Sequence, residues 1–155
     1  MNDYEQIFDT DIFPSFLRSC KPNIDLNNLL DECYLIKENF TTTDNSNRSG
    51  YHSPSFTTKD CEKYSFFTQL YNLIQISETF SKDTLTSKKL NSCVDEISFW
   101  VNINKTHSYN VMHSHGRADL IGIYYVSVPE ESGNFVILRN DGSQYCNLYG
   151  DRSYL

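Results

Sequence analysis

The chain has 155 residues, 39% hydrophobic and 14% aromatic, which is enough for one folded domain with its own core. A formal net charge of −7 argues against a nucleic-acid-binding surface, and no stretch approaches the roughly 20 apolar residues of a membrane span. The acidic start Met1-Asn2-Asp3-Tyr4-Glu5 has no signal-peptide core, so a cytoplasmic location without membrane or nucleic-acid partners is expected. Cys20, Cys33, Cys61, Cys93 and Cys146 are odd in number, scattered and free of any CxxC, so reduced structural thiols are expected rather than a disulfide framework or a cysteine zinc site.

Ile7 to Phe16 reads as a leading segment in which Pro14 interrupts any long helix. Asp25 to Ile36 predicts a helix, with apolar residues at 26, 29, 30, 33 and 36 and Asp25 as its cap. Thr41 to Pro54 is polar and predicts a loop, either a plain connector or the seat of a substrate lid. Cys61 to Phe80 predicts a second helix whose stripe of Phe66, Phe67, Leu70, Leu73, Ile74 and Ile76 faces the core. Ser81 to Lys89 is a polar connector.

From Leu90 the period becomes two. Ile97, Phe99, Val101 and Ile103 alternate with Ser98, Trp100, Asn102 and Asn104, the pattern of a half-buried strand. A turn is expected at residues 105 to 108. A strand is expected within Ala118 to Val128, ended by Pro129, with a turn at Glu130-Glu131-Ser132-Gly133. Asn134 to Leu138 reads as the returning strand, Asn140-Asp141-Gly142 as a hairpin turn, and Tyr145 to Tyr149 as the start of another strand. Helices first and antiparallel strands after them predict an α+β fold, mainly β.

His113 and His115 are the candidate metal ligands. On an extended chain, side chains at i and i+2 share a face, and two imidazoles projecting together can hold one metal ion. Two surface histidines at a strand end would give the same motif. Asp119 comes within reach as a third ligand if the chain turns at Gly116, as in a cupin. For Trp100, burial preference favours core or barrel wall over a substrate clamp. Asn102 and Asn110 can donate hydrogen bonds to a co-substrate or cap the turn after residue 104. His52 is expected to face solvent or substrate.

Trp100-x-Asn102-x-Asn104, Tyr109-Asn110-x-x-His113-x-His115 and Gly122-Ile123-Tyr124-Tyr125-Val126-x-x-Pro129-x-x-Ser132-Gly133 carry a resemblance. Together with Ser46-Asn47-Arg48-Ser49-Gly50-Tyr51-His52-Ser53, they resemble the phage and marine-bacterial family of 2-oxoglutarate/Fe(II)-dependent oxygenases related to prolyl hydroxylases. The match runs from about residue 45 to about 142. It implies a double-stranded β-helix (jelly roll) with the helices packed outside. Residues 1–90 would be mostly helix and loop, and 91–155 the first part of the barrel, in one domain. It implies Fe(II) on His113 and His115, with 2-oxoglutarate as co-substrate. Tyr125 matches a tyrosine that holds the co-substrate's distal carboxylate, and Asn102 and Asn110 stand as its further contacts. If phage-encoded, the protein would work in the host cytoplasm.

The chain departs from the family pattern at three places. Gly116 replaces a proline, Ile121 replaces a serine, and no histidine follows His115 to serve as the distal ligand. Arg139 and Arg152 follow, but not after such a histidine. Two explanations stand: a chain cut inside the barrel with later strands missing, or a complete but degenerate homologue. The alternatives to an oxygenase are a cupin-like metal-binding protein using His113, His115 and Asp119, and a non-catalytic jelly-roll binding module.

Overall fold

Asp25 starts the first helix as expected. Its Oδ1 accepts from the backbone N–H groups of Asn27 (3.1 Å) and Asn28 (3.2 Å), two of the donors a helix leaves unpaired at its start. Helix α1 then runs Leu26–Asn39 and buries Leu29, Glu32, Cys33 and Ile36. This is a computed structural model, and it describes residues 20–87, 96–116, 118–138 and 144–148. The leading segment, Cys93, Arg117, Arg139, Arg152 and the turn at residues 140–142 lie outside the described residues.

The second predicted helix is broken. Helix α2 spans Thr58–Lys63 and helix α3 spans Gln69–Ser87, so residues 64–68 form a turn and the polar connector after Phe80 is instead helical to Ser87. Glu32 accounts for the break. It is only 6% exposed on α1. Its Oε1 accepts from the N–H groups of Thr68 (3.0 Å) and Gln69 (2.6 Å), and its Oε2 from that of Leu70 (2.8 Å). A carboxylate from another helix thus satisfies the unpaired donors of α3 and sits at the positive end of its dipole. The turn also lets Tyr64, Phe66 and Phe67 meet edge-on or tilted around Phe40, Phe56 and Phe99. At α2, Asp60 Oδ2 accepts from the Thr57 N–H (2.7 Å) and hydroxyl (3.1 Å).

The polar stretch read as a loop is half of a sheet ribbon. Strands β1 (Asn47–Arg48), β2 (Tyr51–His52) and β3 (Phe56–Thr57) run down one side. Strands β4 (Ser98–Phe99), β5 (Asn102–Ile103) and β6 (Tyr109–Asn110) run up the other. All three pairs are antiparallel, with Phe56 opposite Phe99, His52 opposite Asn102 and Asn47 opposite Asn110. Between β2 and β3, Ser53 N–H donates to the Val101 carbonyl, and Val101 N–H donates to Ser53 Oγ, each at 2.9 Å. A side-chain oxygen takes the place of a ladder carbonyl just before Pro54, which has no N–H to offer.

The expected alternation holds in the second half of the ribbon. Ile97, Phe99, Val101 and Ile103 pack with Leu29, Cys33, Ile36, Tyr51, Phe56, Cys61, Phe67, Leu70 and Ile74, while Trp100, Asn102 and Asn104 take the other face. The predicted turn closes with Ser108 N–H on the Lys105 carbonyl (2.9 Å), and His107 adopts φ +67° there.

Ala118 to Val128 does not pair as a strand. Tyr124 and Val126 pack against the core, but Ile121, Ile123 and Tyr125 are exposed, Ile123 at 52%. The β-branched and aromatic run is present without a hydrogen-bonded neighbour among the described residues. The turn after it forms, with Ser132 N–H on the Pro129 carbonyl (3.1 Å). Strand β7 (Phe135–Leu138) then pairs antiparallel with β8 (Gln144–Leu148), as the predicted hairpin requires, with a register shift between Ile137 and Leu138. The described residues therefore mix helices with four two-stranded antiparallel pairs, and no closed barrel is formed among them. No described helix is long and apolar enough to cross a membrane.

Candidate metal centre

Two imidazoles meet at the end of the ribbon. The ring centroids of His113 and His115 lie 4.8 Å apart at 60°. They are not carried on a paired strand: both fall just after β6, anchored where Val111 N–H donates to the Ser46 carbonyl (2.9 Å). The chain turns after them, the condition for Asp119 to come within reach. Gly116 takes φ +52°, and Ala118 N–H reaches back to the His115 carbonyl (3.0 Å).

His113 is fixed in a tautomer suited to metal binding. Its Nδ1 lies 2.8 Å from the Val111 carbonyl oxygen, which can only accept, so Nδ1 carries the proton and Nε2 keeps its lone pair. His115 is drawn toward the neutral form: desolvation, then the neighbouring His113, lowers its pKa below the usual 6.5.

Behind the pair stands a column of rings. Trp100 stacks on His115 at 5.6 Å and 17°, and His52 stacks on Trp100 at 5.8 Å and 12°. His52 does not face solvent; it is 3% exposed. Its Nδ1 lies 2.7 Å from the Ser53 carbonyl oxygen and 3.0 Å from Thr43 Oγ1, so this imidazole also carries its proton on Nδ1. Trp100 is half-buried and forms a wall behind His115.

A polar knot lies beside the column. Buried Asn47 donates from Nδ2 to Asn104 Oδ1 (2.6 Å) and Asn102 Oδ1 (3.3 Å), and its Oδ1 accepts from Gly50 N–H (2.9 Å). A Cβ on Gly50 would fall 2.5 Å from the side-chain oxygens of Asn47 and Asn104, so the packing requires glycine here. Asn102 is thus held from the opposite strand, and its Nδ2 remains available to a ligand. Asn110 is exposed opposite Asn47.

Tyr125 is 39% exposed, burial pushes its hydroxyl above the usual 10, and no described residue hydrogen-bonds it. Asp119 is exposed. Among the described residues no three His, Cys, Asp or Glu side chains are grouped to hold a metal, so Asp119 does not complete a set with the histidine pair. His107 is an exposed turn residue. A separate hollow of about 400 Å³ lies beside Asn28, Glu32 and Phe66, where Glu32 is committed to α3.

The donor set stops at two imidazoles, one with its Nδ1 committed to a carbonyl. A facial two-histidine, one-carboxylate set needs an acidic third donor. Sequence reasoning found the pair and Trp100 but missed the burial of His52 and the hub at Asn47. The Asn-x-x-Gly spacing at Asn47 and Gly50 was the available signal, because an Asx side chain commonly binds a backbone N–H just downstream. No family model, curated protein or solved structure matches the chain.

Proposed function

We propose that the chain is a jelly-roll-type Fe(II)/2-oxoglutarate-dependent oxygenase domain, acting in the cytoplasm, with His113 and His115 as iron ligands. The observation that carries the reading is the pair itself: two rings 4.8 Å apart, with the His113 lone pair freed on Nε2. The motif resemblance around Trp100, Asn110 and Tyr125 narrows the metal to iron and the co-substrate to 2-oxoglutarate. Asn102 stands opposite His52, Asn110 is exposed opposite Asn47, and Tyr125 offers a hydroxyl without a described partner; in this reading all three contact the co-substrate. Iron with 2-oxoglutarate supplies the oxidising chemistry; the chain's residues orient and hold.

The test is succinate release from 2-oxoglutarate under air, with and without Fe(II). Iron-dependent release that disappears in His113→Ala and His115→Ala is expected. Metal binding without 2-oxoglutarate affinity would replace the reading with a cupin-like metal-binding protein. No metal binding would leave a non-catalytic module.

A further inference from the structure

We infer that Trp100 is a positioning residue for the His115 imidazole, and that buried His52 holds Trp100 in place. This rests on the metal-pair reading for its purpose but not for its geometry. A histidine ligand is useful only if its ring plane and free nitrogen are aimed. His113 is aimed by the Val111 carbonyl. For His115 no side-chain hydrogen bond is found among the described residues, and its fixed neighbour is the near-parallel Trp100 ring. Trp100 is itself restrained by the buried His52 ring, which lies near-parallel to it at 5.8 Å and 12°. His52 in turn is anchored through Nδ1 to Ser53 and Thr43, in the middle pair of the ribbon. Three rings within 17° of their neighbours' planes thus link a buried, hydrogen-bonded imidazole to the exposed pair. Stacking of this kind restrains a ring's plane without taking up its nitrogens, which is what a ligand needs.

The experiment has two arms on the full chain. In the first, histidine ring protons are assigned by NMR without metal. Ring current from Trp100 should move the His115 ring protons upfield. The shift should vanish in Trp100→Leu, persist in part in Trp100→Phe, and shrink in His52→Ala. His115 protons at ordinary positions in the wild type, or unchanged by Trp100→Leu, would overturn the inference. In the second arm, Co(II) and Cu(II) are titrated. Trp100 is the sole tryptophan, so its emission should be quenched in the wild type as the pair fills, and the affinities of the Trp100 variants, which lack that signal, are read by calorimetry. Affinity should fall about tenfold in Trp100→Leu, the scale of losing a ligand's outer support, and recover in Trp100→Phe. If Trp100→Leu loses the NMR shift but keeps full affinity, the column is packing and not positioning. If Trp100→Leu does not fold, Trp100→Phe and His52→Ala carry the same comparison. A wild type that shows the shifts but binds no metal would defeat the proposed function and leave the stack standing, so the two failures are distinguishable.

Discussion

Two stretches that both read as strands behave differently. Residues 97–103 set Ile97, Phe99, Val101 and Ile103 against Ser98, Trp100 and Asn102, whereas 121–126 is a β-branched and aromatic run, Ile-Gly-Ile-Tyr-Tyr-Val. The first has a partner strand, a buried face and a side-chain-assisted ladder through Ser53. The second buries Tyr124 and Val126 yet leaves Ile121, Ile123 and Tyr125 in solvent with no described strand beside it. β-Branched and aromatic residues favour an extended chain, but they do not supply the neighbour that turns it into a sheet; a one-sided apolar alternation packed on a core helps to do so.

The largest expected effect sharpens that contrast. Ile36→Ala, at a fully buried position on α1, should cost about 2–5 kcal/mol, whereas Ile123→Ala should stay within about 0.5 kcal/mol. Urea unfolding of the two variants checks this, and equal losses would mean that 121–126 is packed after all. Next comes the Glu32 cap. Glu32→Ala strips an acceptor from three backbone donors and should cost about 2–3 kcal/mol, with Glu32→Gln losing less because an amide oxygen remains. Hydrogen exchange gives a third contrast: the Ser53 and Val101 amides should exchange slowly, and those of residues 120–126 fast.

A smaller effect concerns the thiols. Burial pushes the Cys33 and Cys61 thiols up to about 11, with Glu32 adding to Cys33 and Asp60 to Cys61. At pH 8 roughly one in a thousand of each is thiolate, so alkylation followed by peptide mapping should label exposed Cys20 well before either. Both groups keep their protons in the folded chain while the unfolded chain loses them. Their contribution to stability is therefore full below about pH 9 and is lost as pH rises toward 11.

Local signals were legible in the sequence. The Asp25 cap, the apolar face of residues 97–103, the turn at 105–108 and the 135–148 hairpin each depend on residues close together in the chain. What was missed depends on distant partners. The break at residues 64–68 is stabilised by Glu32, more than 30 positions away, so helical periodicity ran straight through it. Thr41 to Pro54 looks like a loop because β1 and β2 within it are only two residues long and set among polar residues, and only the facing strands β5 and β6 reveal them. The site divides in the same way. His113 and His115 are adjacent in sequence and were found, whereas the burial of His52 and the Asn47 hub arise only when the two sides of the ribbon meet.

The most direct test of the central claim is calorimetric titration of the full chain with Co(II) as an air-stable stand-in for Fe(II). The account predicts one ion per chain in the wild type and loss of that binding in the His113→Ala/His115→Ala double variant, with far-UV circular dichroism unchanged. No binding in the wild type, or binding that survives in the double variant, would contradict it.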